Sequence, residues 1–147
     1  MKLKQLSLFL ENQPGALSRP IQLLARAKFN LVTLSIAEAN QFGILRLIVR
    51  DWEKAKKLLE KNGFVVRVTD MVAVEVPDQP GGLSKILAVI EQAGLNVEFM
   101  YAFTEKRENK GILVFRFDDP DNAVKVLLKS KVNVVPSGEL LTTAETK

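Results

Sequence analysis

The 147-residue chain contains no cysteine and no histidine. The first absence excludes disulfides and thiol chemistry, and it fits a reducing, cytoplasmic setting. The second excludes more, because histidine is the commonest general base near neutral pH and, with cysteine, the usual ligand of zinc, copper and iron. Nucleophiles of the Ser-His and Cys-His kinds are excluded as well. The expectation is a protein that is not an enzyme, with no catalytic residue, no metal site and no cofactor. Long apolar runs are also missing, since none approaches the roughly 20 residues that span a bilayer. The Met1-Lys2-Leu3-Lys4 start leads into a strand-like pattern with no signal-peptide core behind it. No membrane partner is expected.

What is present has ordinary globular proportions, 47% hydrophobic and 26% charged. The net charge of +4 is unevenly held. Residues 1–70 carry 12 Lys+Arg against 6 Asp+Glu, and residues 71–147 carry 9 against 11. Much of the first-half excess is Lys54, Lys56, Lys57 and Lys61, which fall on an amphipathic helix pattern where charge forms the solvated face. No nucleic-acid partner is expected.

The most informative feature is a stretch written twice. Asn12-Gln13-Pro14-Gly15-Ala16-Leu17-Ser18 follows the apolar run 6–10, and Asp78-Gln79-Pro80-Gly81-Gly82-Leu83-Ser84 follows the run 72–76, an offset of 66 residues. Asn30 recurs as Asn96 at the same offset. Gly43-Ile44-Leu45 recurs as Gly111-Ile112-Leu113 at an offset of 68, so the second copy carries two extra residues between Asn96 and Gly111. The chain is a tandem duplication, divided into residues 1–70 and 71–147. A unit of this size buries only about 60% of its unfolded surface, so the copies are expected to share a core, to pair edge to edge, or to dimerise.

In the first copy, Lys4 to Leu10 alternates as a half-buried strand. A helix follows the Pro-Gly turn, with Leu17, Ile21, Leu24 and Ala25 at helical spacing. Pro20 is tolerated only in its first turn, so regular bonding should begin at Leu17 or Ser18. Strands Leu31–Ala37 and Ile44–Val49 are joined by the turn at Asn40-Gln41-Phe42-Gly43. Asp51 is expected to cap a helix with the stripe Trp52, Ala55, Leu58 and Leu59, and Phe64–Thr69 is a fourth strand. The second copy repeats the order with strands 72–76, 97–103, 112–117 and 132–135 and helices 83–93 and 120–128. The fold class is α+β: two ferredoxin-like βαββαβ domains in tandem, each an antiparallel four-stranded sheet with its helices on one face. Residues 65–76 read as nearly unbroken strand between the copies. A charged, exposed loop is expected at 104–110, and a tail from Glu139 that docks through Leu140 and Leu141 and then frays.

Simple alternation sets Val32, Leu34 and Ile36 against Leu31, Thr33, Ser35 and Ala37. In the second copy it sets Met100 and Ala102 against Val97, Phe99, Tyr101 and Phe103. Both faces then look apolar, and a face left uncovered would be a large exposed patch. A second copy of the chain is the simplest cover, which makes a homodimer the expected assembly.

A strand that ends in Asn-Gln-Pro-Gly and turns into a helix presents backbone N–H groups at the positive end of a helix dipole. Gly15 and Gly81 let that backbone approach a ligand, which suits a carboxylate. Asn12 and Asn30 are expected to converge there, since a carboxamide can donate to a carboxylate and accept from an ammonium. The copy-two counterparts are Asp78 and Asn96, with an aspartate that would attract an ammonium instead. Turn chemistry alone also accounts for Pro-Gly after a strand, and helix capping for Asn before one.

These residues resemble the ACT domain, the amino-acid-binding regulatory module of phosphoglycerate dehydrogenase and of the small subunit of acetohydroxyacid synthase. The resemblance covers the whole chain, twice, as in stand-alone tandem ACT proteins. It implies plaits associated side by side into an eight-stranded sheet, effectors at the seam, and control of a metabolic enzyme as partner. Asn12 and Asn30 match the asparagines that hold serine in the dehydrogenase module, and Gly15, Ala16 and Leu17 match its backbone donors. The corresponding ligand-site residues are then Asn12, Gln13, Pro14, Gly15, Ala16, Leu17 and Asn30, with Asp78, Gly81, Gly82, Leu83 and Asn96 in copy two. The family's histidine is Leu10 here and Val76 in copy two, which favours a more apolar amino acid than serine. A structural or protein-interaction subunit with dead sites is the alternative. An acylphosphatase-like enzyme would need an arginine at the turn, where Arg19 and Lys85 are the nearest cations.

Overall fold

The structure, a computed structural model, describes residues 1–103 and 108–140. The described chain forms two compact units, one of residues 4–69 and the other of residues 1–3 with 70–140. Strands β1 (Lys2–Glu11), β2 (Leu31–Ala39) and β3 (Phe42–Val49) and helices α1 (Ser18–Arg26) and α2 (Trp52–Lys61) precede β4 (Val66–Pro77). This strand supplies its first residues to one unit and the remainder to the other, the unbroken run expected from the sequence. Helix α3 (Gly82–Gln92), β5 (Val97–Ala102), β6 (Lys110–Phe117) and α4 (Pro120–Lys129) follow.

In the first unit the strand order is β2-β3-β1-β4, with β1 and β2 both antiparallel to β3. Leu6, Leu8 and Leu10 of β1 and Leu45, Leu47 and Val49 of β3 point to one side, where Leu24 of α1 and Ala55 and Leu59 of α2 bury against them. Both helices therefore cover one sheet face, as an alternating strand beside an amphipathic helix requires. Pro20 is buried in the first turn of α1, where its missing N–H costs nothing. Leu17 and Ala25, expected on the buried stripe, are exposed. Asp51 stands at the start of α2 but makes no capping bond. The capping aspartate is Asp119 of the second unit, which accepts from the Asn122 amide at 3.2 Å.

The second unit repeats the plan. Val72, Val74 and Val76 of β4 and Phe115 and Phe117 of β6 meet Ile86 and Ile90 of α3 and Ala123 and Leu127 of α4. The two phenylalanine rings stack at 5.4 Å. Here β4 and β5 are both antiparallel to β6. The expected fourth strand at 132–135 is reduced to a bridge between Val134 and Val74, with Val135 donating to the Ala73 carbonyl at 2.9 Å. Pro136 follows it and has no N–H with which to extend the ladder.

Two register shifts correct the expected faces. Leu31 pairs with Val49 and Thr33 with Ile48, so Val32 is the extra residue of a bulge. Val97 pairs with Phe117 and Phe99 with Arg116, which makes Glu98 its counterpart 66 residues on. A bulge reverses the alternation beyond it. Leu31, Leu34 and Ile36 thus share the helix side, as do Val97, Met100 and Ala102, while Phe99 and Tyr101 face the other way. Much of the opposite face is already buried in a single chain, including Thr33, Ile48, Ala73, Ile112 and Val114. On the same face Phe9 and Phe42 stay about half exposed. The charged loop expected at 104–110 lies outside the described residues from 104 to 107, as does the tail from 141 onward. Leu140 itself is buried.

Leu59→Ala and Leu127→Ala empty matching places in the two cores, and each is expected to cost about 2–5 kcal/mol in urea unfolding. Leu128→Ala, at a residue 46% exposed, should stay within roughly 0.5 kcal/mol. A Cβ at Gly82 would collide with the Pro77 carbonyl oxygen. Gly82→Ala should therefore cost about 1–3 kcal/mol, and Gly138→Ala, where the added carbon meets nothing, should cost far less. Lys2 lies 2.9 Å from Asp121. The hydrogen bond from Lys2, and then its charge, hold the Asp121 carboxyl below its ordinary value. The pair's small contribution is present above that ordinary value and fades as pH falls toward the lower folded one. Asp121→Asn should flatten that part of an acid-unfolding curve.

Candidate functional site

The duplicated corner forms the same way in both units. Asn12 donates its amide to the Gln41 carbonyl and Asp78 donates to Asn109, each at 2.9 Å. The amides of Gln13 and Gln79 turn back to Glu11 and Pro77, again at 2.9 Å. Gly15 and Gly81 then take left-handed backbone, φ +85° and +86°, which glycine adopts without strain. The first helical bonds, Arg19 to Gly15 and Lys85 to Gly81, close the helix start at 3.3 and 3.1 Å.

The corner differs from its sequence reading in two ways. The Ala16 amide, matched to a ligand donor, is taken by the Gln13 carbonyl at 3.3 Å, and Gly82 donates to Gln79 at 3.1 Å. The remaining donors expected at the corner are the amides of Gly15 and Leu17, with those of Gly81 and Leu83 in copy two. The second difference concerns the asparagines. Glu11, beside Asn12, pairs with Phe42, whereas Leu31, beside Asn30, pairs with Val49. The two residues therefore stand at opposite ends of β3, roughly 23 Å apart at about 3.3 Å per residue. Asp78 and Asn96 are separated in the same way along β6, because Pro77 pairs with Lys110 and Val97 with Phe117. Within one unit these side chains do not converge. Asn96 is instead clasped to Asp118, whose carboxylate accepts its amide at 3.0 Å and whose own amide donates back at 3.2 Å.

The corner of the second unit opens on a cavity of about 420 Å³. Val76, Leu83 and Leu113 make its apolar walls, Pro77, Gln79 and Pro80 the turn side, and Asp78 supplies a carboxylate. Of the residues expected to bind ligand, the structure thus gathers Asp78 and Leu83 here, beside the Gly81 corner. It adds Val76, Leu113 and Gly111, which the turn motif alone did not single out. Gly111 was visible as part of the repeat, since it matches Gly43 on the strand beside the corner.

A second cavity, about 270 Å³, lies on the other side of the same turn. Lys85, Lys110, Lys131, Glu75 and Asn133 line it. Glu75 accepts from the Asn133 side chain at 2.7 Å and pairs with Lys110 at 3.6 Å, its own side chain only 10% exposed. The sequence reading missed this group. Its signal was available as a mismatch between copies, because Glu75 interrupts an apolar strand at the place where the first copy has Phe9. No group of three or more acidic residues positioned to hold a metal ion occurs among the described residues. No described helix is long and apolar enough to cross a membrane.

No protein of curated function matches the sequence. A family model described as an ACT domain pair matches residues 1–144. The crystal structure of a protein from Bacteroides thetaiotaomicron is similar at 40% identity and a TM-score of 0.89, with 96% of each chain covered. The ligand-free regulatory subunit of aspartate kinase from Thermus thermophilus is similar at 16% identity and a TM-score of 0.64, covering 88% of this chain and 93% of that one. The corresponding subunit from Thermus flavus is similar at 16% identity and 0.63, covering 99% and 94%. At such identities the two kinase subunits share the fold. With the duplicated corner, the paired plaits and the match over nearly the whole sequence in view, the chain belongs to the ACT-domain-pair family, whose domains are regulatory modules.

Proposed function

We infer that the protein is an amino-acid sensor that controls a metabolic enzyme, with residues 1–70 and 71–147 as its two ACT modules. The observation that carries this reading is the 420 Å³ cavity at the second corner, which joins one carboxylate to apolar walls beside a helix start. A free amino acid needs the same three things. Its ammonium pairs with Asp78, its carboxylate takes the amides at the start of α3 near the positive end of the dipole, and its side chain lies against Val76, Leu83 and Leu113. The size is within the roughly 300–1,000 Å³ of small-ligand sites. Apolar walls favour leucine, isoleucine or valine over serine.

The first corner keeps Asn12 in place of the aspartate. Because Asn12 and Asn30 lie at opposite ends of a strand, a ligand that used both would need them from two modules. A homodimer would supply that pairing, and binding would then bias assembly or the grip on an enzyme partner. The kinase subunits whose fold is similar are regulatory subunits by name, which is consistent with such a role.

Thermal denaturation with each common amino acid tests this reading. A ligand at 100 times its Kd stabilises by about 2.7 kcal/mol, which raises Tm by several degrees for a chain of this size. Leucine, isoleucine or valine should produce such a shift, and Asp78→Asn should abolish it. Indifference to every amino acid at millimolar concentration would leave the other reading, a structural subunit with dead sites that copurifies with its enzyme.

A further inference from the structure

The second cavity has an internal comparison, because every residue around it has a counterpart in the first copy. At offsets of 66 and 68 residues, Glu75 matches Phe9, Lys110 matches Phe42, Lys131 matches Gly63, Val132 matches Phe64 and Asn133 matches Val65. In the first copy these places are apolar, with Phe9, Phe42 and Val65 all about half exposed or more. Its cations are tied to the rings: the Arg19 guanidinium lies 5.0 Å from the centre of the Phe64 ring and donates to the Asn62 carbonyl at 3.4 Å, and the Arg67 guanidinium lies 5.8 Å from the centre of the Phe9 ring. In the second copy the aromatic groups are gone, the space is open, and three lysines border it.

Ordinary surface charge does not account for this arrangement. The one carboxylate in the wall, Glu75, is nearly buried and holds Asn133 and Lys110 at the rim. Lys85 and Lys131 have no carboxylate partner among the described residues, so the cavity keeps a positive balance of three ammonium groups against one carboxylate. Lys131 also holds left-handed backbone, φ +61°, at the helix end where the first copy has Gly63 at +90°. Lysine adopts that conformation at a cost that glycine does not bear. Lys28 does the same at the end of α1, and a lysine there gains from the negative end of the helix dipole. That benefit alone would explain Lys131, but it explains neither the opened space nor the loss of three aromatic rings around it.

We propose that this cavity binds a small dianion, a phosphate monoester or a dicarboxylate, at a site separate from the amino-acid cavity and absent from the first copy. Lys85 and Lys131 neutralise the charge, Lys110 and Asn133 are held in place by Glu75, and the volume of about 270 Å³ limits the ligand to a small metabolite. Lysines act as compact point charges and accept either anion. A second effector of opposite chemistry would let one module read two signals. The inference does not rest on the amino-acid reading, since it uses neither Asp78 nor the apolar walls.

The test titrates the full chain with inorganic phosphate and, separately, with succinate, following Tm and binding heat at constant ionic strength set with sodium chloride. A saturable response to either probe, weakened at least tenfold in both Lys85→Gln and Lys131→Gly, is expected. Response to phosphate alone assigns a phosphate ester, and response to succinate alone a dicarboxylate. Lys131→Gly places the first copy's own residue at the helix end, so its unliganded Tm should not fall and a lost response cannot be blamed on misfolding. Leucine binding should persist in both variants. Two results would overturn the proposal: no saturable response to either anion, or a response that survives both substitutions.

Discussion

A βαββαβ unit closes only if its chain can leave the first strand and enter a helix within a few residues, laying that helix back over the sheet. Everything else in each unit depends on this corner. Glycine in left-handed backbone makes the turn at positions 15 and 81, and the amide of the next residue folds back onto the glutamine carbonyl. In the second unit the approach is so close that Gly82 leaves no room for a Cβ beside Pro77. Once the helix is aimed, Leu24 or Ile90 drops onto the strands, and the second helix completes the cover with Leu59 or Leu127. Burial of these stripes is the main favourable term, since the helices are short and marginal alone.

The same corner that organises the fold lies beside the cavity of the second unit. Duplication then allowed the two corners to diverge without losing either core. The buried positions changed little: Ala55 and Ala123 match, as do Leu59 and Leu127, and all four are fully buried. Around the corners the change is large. Phenylalanines give way to glutamate and lysine, and asparagine at the strand end becomes aspartate. Selection for packing holds core residues to shape, whereas residues that line a cavity can change charge at little cost to the fold.

The paired bulges at Val32 and Glu98 show a further consequence of inheritance by copying. Each inserts one residue near the start of an outer strand and turns the rest of it over. Bulges are designed features rather than defects, and here the reversal keeps Leu31 and Val97 against the helices while presenting Thr33 and Phe99 to the opposite face. Two bulges at the same offset as the turn motif are best read as one ancestral bulge.

How much was legible in the sequence follows from the range of the interactions. The repeat, the Pro-Gly corners, the stripe Trp52, Ala55, Leu58 and Leu59, and the unbroken run through β4 are local patterns, and the residues that cause them are close neighbours. The resemblance to ACT domains rested on the same local signature. The bulges were not legible, because a slip in pairing leaves no mark on the periodicity of its own strand and appears only against the partner strand. Nor was the separation of Asn12 from Asn30, which depends on both being measured along β3. The cationic cavity draws Glu75, Lys85, Lys110 and Lys131 from four segments of the second unit. By itself the sequence determined the duplication, the fold class and the chemistry of the turn; tertiary structure alone decided which side chains meet, because register and cavity arise between segments that local pattern cannot align.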